Sequence, residues 1–334
     1  MKYTTLTSPT NSTALIAVAA LLLVACGGGG ADTPPPASAP PSVERSVLPA
    51  STDAAISSDF ETHFAVNPAA TVTAKQRLLV FLPGTFGRPD NYRAVVRDAA
   101  AHGVHAIGLN YPNNATVASL CNGSADADCF GNTRLEILTG NNSSSVVAIT
   151  RADSIENRLI QLLQSLHAQA PAEGWDAYLM SAGQPDWSRM RVAGHSQGGG
   201  HAAFIAKRYA VDRAVFFGAP ADANSSGLAP WVSVAGATPG TRQAGFTHLR
   251  DELAALSVVS ATWQALGLGG ALTSVDGVAA PYGGGKQLTT DAAPAPGNSA
   301  LSPLHSTPIV DGVTPLAADG TPLFAPVWRA LLVN

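Results

Sequence analysis

One serine stands in an unusual setting. The stretch "RVAGHSQGGGHAAF", Arg191–Phe204, holds Ser196 beside His195, with glycines on both sides. Consecutive glycines lose much conformational freedom on folding, so the backbone must require them. Gly194-His195-Ser196-Gln197-Gly198 fits G-x-S-x-G, a sharp strand-to-helix turn that lifts a serine hydroxyl above a sheet. Gly194 and Gly198 must be small there, because strand and helix pass closely. A helix beginning after the serine aims N–H groups and partial positive charge at a developing oxyanion, and Gln197 supplies the first of those N–H groups.

A serine hydroxyl needs a base to take its proton and a carboxylate to orient that base. Beyond such an elbow the acid and then the histidine follow in chain order. The downstream histidines are His201, His248 and His305. His201 falls in the helix after the elbow and reads as structural. His305, in "NSALSPLHSTPIVDG", is the first candidate base and His248 the second. Asp251, in "THLRDE", is the first candidate acid, followed by Asp222 and Glu252. The same "THLRDELAAL" also reads as a helix start, with Thr247 as N-cap and two acids in the first turn. A second oxyanion donor is expected from "LPGTFGRP": Thr85, with Phe86 as the fallback or as a pocket wall.

Elements able to position these groups alternate along the chain. "RLLVFLPG" is a short apolar strand. "PDNYRAVVRDAAAHG" predicts a helix with Asp90 as N-cap, an apolar face of Tyr92, Val95, Val96 and Ala99, and Gly103 at its end. "VHAIGLNYP" predicts the next strand, and Asp153–Ala168 carries a clear helical stripe of leucine and isoleucine. "MRVAG", "RAVFFGAP", "TRQAGFTH" and "GKQLTTD" read as further strands, with helices at "GGHAAFIAKRYA" and "PVWRALL". This order predicts an α/β fold with a mostly parallel central sheet and helices on both faces.

With "GHSQGGGHAAF", "FLPGTFGRPDNY" and the late His305 in view, the chain from about Arg77 to Leu332 resembles a bacterial α/β-hydrolase, and more distantly lipases, cutinases and polyester depolymerases. The resemblance implies an ester hydrolase working through an acyl-enzyme on Ser196, with His305 as base, Asp251 orienting it, and no cofactor or metal. A binding lipoprotein on the same fold, and an amidase or acyltransferase, are the alternatives.

The remainder bounds the setting. Leu15–Ala25 is an apolar run too short to span a bilayer, and it ends "LVAC" at Cys26. It resembles a lipoprotein signal over residues 1–25 with Cys26 lipidated, so export and a membrane anchor are expected, in the periplasm, at the outer membrane or outside the cell. Residues 26–55 are expected to be a Gly/Pro-rich linker, and 56–334 the catalytic domain. The net charge of −4, without basic runs, argues against nucleic acid. Cys121 and Cys129 are expected to pair after export. The segment from Tyr111 to Gly140, rich in glycine and asparagine, reads as a long loop bordering a cleft. Trp231 is placed near the substrate, a small or polymeric ester.

Overall fold

The strand β3 (Leu78–Leu82) is apolar at all its positions, and every one is buried. Such a strand must be covered on both faces. Leu78, Val80 and Leu82 enter one core, and Leu79 and Phe81 enter the other. The computed structural model, which describes residues 41–57 and 61–334, places β3 inside a nine-stranded sheet. Its companions are β1 (Val43–Val47), β2 (His63–Asn67), β4 (His105–Gly108), β5 (Met190–His195), β6 (Arg213–Phe217), β7 (Gln243–His248), β8 (Leu272–Ser274) and β9 (Gln287–Thr290). The order is β1-β2-β4-β3-β5-β6-β7-β9-β8. β2 runs antiparallel to both β1 and β4; the pairs along the sheet from β4 to β8 are all parallel.

Helices α1 (Arg93–Ala101) and α8 (Ala325–Leu332) cover one face, with Val95, Val96, Val327 and Trp328 in its core. Helices α3 (Cys129–Thr139), α4 (Ile155–Gln169), α5 (Gln197–Arg208) and α6 (Leu256–Ala265) serve the other. The short helices α2 (Val117–Leu120) and α7 (Pro303–Ser306) belong to the loops above the carboxyl ends of the strands. A mostly parallel sheet with one antiparallel strand near its edge, helices on both faces and a serine turn after β5 make this an α/β-hydrolase fold, as expected.

Four details differ from the sequence reading. The expected linker reached residue 55, but Val43–Val47 pair with β2, and Pro49–Thr52 form a helical turn. The alternation Val43, Arg45, Val47 around Ser46 is too short a signal to separate a strand from a tether. Residues 1–40, including the expected signal segment, Cys26 and the first part of that linker, lie outside the described residues. Asp90 does not cap α1, which begins at Arg93 after a short 3-10 turn. Asp311, from far along the chain, instead accepts the Ala94 N–H. Residues 111–140 carry α2 and a well-buried α3 rather than one long loop. The helix after β7 starts at Leu256, so Thr247 is a strand residue and not an N-cap.

Cys121 and Cys129 are joined in a disulfide between the end of α2 and the first turn of α3. Closing a loop this short contributes about 2–3 kcal/mol in the chain-entropy picture. We expect the double variant Cys121→Ser, Cys129→Ser to melt a few degrees lower, read by thermal denaturation, with the fold retained by circular dichroism.

Candidate active site

The elbow is built from backbone contact. Ser196 takes φ 52° and ψ −120°, a region costly for a residue with a side chain. Its N–H donates to the Phe217 carbonyl, which anchors the turn to β6 (2.8 Å). Each nearby glycine has its own reason. A Cβ on Gly194 would run into the Gly198 backbone, and one on Gly198 would run into the Leu82 carbonyl at the end of β3. At Gly199 it would come within 2.7 Å of Ala219 Cβ. At Gly200 it would strike the Arg134 guanidinium.

Downstream, Asp251 and His305 meet. His305 Nδ1 lies 2.7 and 2.9 Å from the two Asp251 oxygens, and both side chains are almost completely buried. Asp251 also accepts the Leu253 and Ala254 N–H groups at 2.9 and 2.8 Å. Burial pushes its carboxyl up, but hydrogen bonding and charge from His305, with those N–H groups, hold it below the usual value. Because Nδ1 donates to a carboxylate, Nε2 is the free, basic nitrogen, and it is buried with no hydrogen-bond partner. Gly218, at φ 56°, leaves room for the pair: a Cβ there would sit 3.0 Å from His305 Cε1 and 3.2 Å from Asp251 Oδ2.

The backbone of His305 is gripped as well. Its N–H donates to Glu252 Oε2 (2.7 Å), and the other Glu252 oxygen takes the Leu304 N–H. Its carbonyl accepts from His195 Nε2 at 3.1 Å. Glu252 therefore holds the histidine in place and is not the acid. His195 Nδ1 accepts a hydrogen bond from the Tyr92 hydroxyl at 2.9 Å, and the Tyr92 oxygen accepts one from the Gly84 N–H at 3.2 Å. Burial, with His305 close by, drops His195 to about 3, so it stays neutral. Burial raises Tyr92, which keeps its proton. This relay of hydrogen bonds joins the loop after β3, the elbow and the His305 segment. The sequence reading gave Tyr92 only as part of an apolar helix face and Glu252 only as a third candidate acid, and it passed over Gly218.

The loop after β3 is fixed by Asn113, whose Nδ2 donates to the Gly84 and Gly87 carbonyls at 2.7 and 2.9 Å. The Phe86 N–H is taken by the Asn113 carbonyl, which removes Phe86 as the fallback donor. The Thr85 and Gln197 N–H groups have no hydrogen-bond partner among the described residues, and the Thr85 hydroxyl donates to Gln197 Oε1 (2.9 Å). Ser196 and His305 line two cavities. The inner one, of about 290 Å³, is walled by Thr116, Val117 and Arg134. The outer one, of about 710 Å³, is walled by the Gly84–Gly87 loop and by residues 297–313.

The remaining candidates are engaged elsewhere. Asp222 pairs with Arg134 through two contacts of 2.5 and 2.6 Å and accepts from Trp231 Nε1. Trp231 thus stands behind that ion pair and lines neither cavity. His248 spends both ring nitrogens on backbone groups, Ala292 O and Arg250 N. His201 is buried against the edge of the Tyr111 ring, where burial pushes it well below the usual value.

No family model matches the chain, and no curated protein sequence matches it. Among solved structures it is similar to esterase 2 of Thermogutta terrifontis in several forms. The form phosphoramylated by tabun is 13% identical, with a TM-score of 0.39, over 74% of this chain and 82% of that one. The native form is 14% identical, with a TM-score of 0.37, over 74% and 80%. The form phosphorylated by paraoxon is 13% identical, with a TM-score of 0.38, over 74% and 81%. The assignment of the fold rests on the chain's own sheet order and elbow.

Two outcomes follow from this geometry. Gly198→Ala should not accumulate as folded protein, checked by soluble yield and circular dichroism, because backbone occupies the added methyl's place. Tyr92→Phe should fold, since it loses one hydroxyl, yet react with a fluorophosphonate on the order of tenfold more slowly as the His195 ring loses its tether.

Proposed function

We propose that the chain is a serine hydrolase cleaving carboxylic esters through an acyl-enzyme. What carries the reading is the buried Asp251–His305 pair, whose histidine keeps Nε2 unpartnered and lines both cavities that Ser196 also lines. Ser196 Oγ attacks the ester carbonyl while His305 Nε2 takes its proton. Asp251 fixes the Nδ1–H tautomer and stabilises the imidazolium that forms. The Gln197 and Thr85 N–H groups receive the oxyanion, aided by the N-terminus of α5. The tetrahedral intermediate collapses, His305 hands its proton to the alcohol oxygen, and the alcohol leaves. Water, deprotonated by the same nitrogen, then releases the acid and restores Ser196.

We further propose that the chain is exported and anchored by lipid at Cys26. The "LVAC" sequence and a disulfide between Cys121 and Cys129 support this reading, since such bonds persist in oxidising compartments. Cys26→Ser should then leave the membrane fraction, as read by immunoblot of fractionated cells.

The full chain should be labelled by a fluorophosphonate and hydrolyse p-nitrophenyl acetate, and Ser196→Ala should lose both. Asp251→Asn should retain the fold and lose on the order of 10³–10⁴ in kcat, because the wrong tautomer is held. A folded wild-type chain that neither labels nor turns over would remove the proposal. The acid side of the kcat/KM profile should have unit slope. His195 adds no proton to that side above about pH 3, because burial, with His305 close by, keeps it neutral.

A further inference from the structure

Large apolar side chains are costly to leave in water, and the three most exposed among the described residues lie together. Leu301 is fully exposed, Phe86 is 76% exposed and Leu253 is 65% exposed. All three line the outer cavity that holds Ser196 and His305. Phe86 is moreover held at φ 57°, a backbone state that a bulky residue adopts only when its surroundings impose it. The surroundings here are the hydrogen bonds of Asn113 to Gly84, Phe86 and Gly87. Strain and exposure are thus spent on presenting one aromatic ring at the mouth of the site. Exposed apolar groups clustered at a cleft mark a surface that something apolar covers.

The inner cavity is apolar over much of its lining, at Val117, Ala219, Ala221 and Ala254, but charged on one side. It is smaller, and its wall carries the buried Arg134–Asp222 ion pair, with Gln197 Nε2 buried and unpartnered beside it. A long hydrocarbon would outgrow that small apolar part and reach the ions and the unsatisfied amide, which is unfavourable. The two sides also differ in chemistry. The leaving alcohol must depart next to His305, which gives it a proton, and the outer cavity is walled by the chain on both sides of His305, residues 297–302 and 306–313.

Resting on the ester-hydrolase reading above, we propose that the site selects esters of a short acyl group with a long-chain aliphatic alcohol. The acyl group occupies the inner cavity, and the alkyl chain lies across Phe86, Leu253 and Leu301. Ser196 Oγ forms the new bond to the acyl carbon, the bond from that carbon to the alkyl oxygen breaks, and His305 returns the serine's proton to that oxygen.

The test uses the full chain and two substrate series below their aggregation limits: ethyl, butyl and octyl acetate, and p-nitrophenyl acetate, butyrate and octanoate. A fully buried methylene is worth about fourfold, and about twofold when one side stays wet. With six more methylenes, octyl acetate should therefore exceed ethyl acetate in kcat/KM by on the order of sixty-fold if each stays half wet, while the octanoate should not exceed the butyrate. Leu301→Ser, a surface change, should cost octyl acetate several-fold and ethyl acetate much less. A flat alcohol series, a gain along the acyl series instead, or a gain that Leu301→Ser leaves intact would overturn the proposal. Fluorophosphonate labelling separates its failure from that of the parent reading. A chain that labels but shows no alcohol preference refutes only the specificity, whereas a folded chain that never labels refutes both.

Discussion

The site depends on one close approach of backbones. At Gly198 the first turn of α5 lies against the Leu82 carbonyl, with no room for even a methyl group between them. That contact sets the height of Ser196 above the sheet. It also brings the loop after β3 next to the start of α5, so two N–H groups from distant parts of the chain stay free together. Gly194 allows the same approach from the strand side. The strained φ of Ser196 persists because β3, β5, β6 and α5 surround the turn, and their packing outweighs a local cost of order 1–3 kcal/mol.

His305 is constrained in a different manner. It sits in a loop, where a side chain would ordinarily move among rotamers. Three long-range contacts remove that freedom: Asp251 on the ring, Glu252 on the N–H and His195 on the carbonyl. Two of the partners are neighbours in one turn after β7, so that turn fixes both the ring and the backbone. A protonated His195 ring, 4.5 Å from His305, would disfavour positive charge on His305. Burial keeps His195 neutral.

What could be read from the sequence was local. The apolar run of β3, the stripe on α4, the elbow and the order of Ser196, Asp251 and His305 are patterns within a few residues or rules of chain order. What escaped reading involves partners far apart. Asp311 stands at the start of α1 from 217 residues away, so no capping rule could have selected it over Asp90. Tyr92 falls on the apolar face of a predicted helix, where the pattern scores its ring and ignores its hydroxyl. Glu252 adjoins Asp251, and composition cannot say which of two adjacent carboxylates meets a ring and which meets an amide. The glycine- and asparagine-rich approach to Cys129 hid α3, whose helix holds because Arg134 and Glu136 find buried partners.

The wall of the inner cavity is tied down at several points. The disulfide secures the head of α3, and Arg134 forks onto Asp222 while touching the Gln197 carbonyl. A wall fixed in this way is ordered during folding, so little conformational entropy remains to be lost when a guest enters. That wall is in place before anything occupies the cavity. The space beside Ser196 on this side is thus set by the fold and not by what fills it.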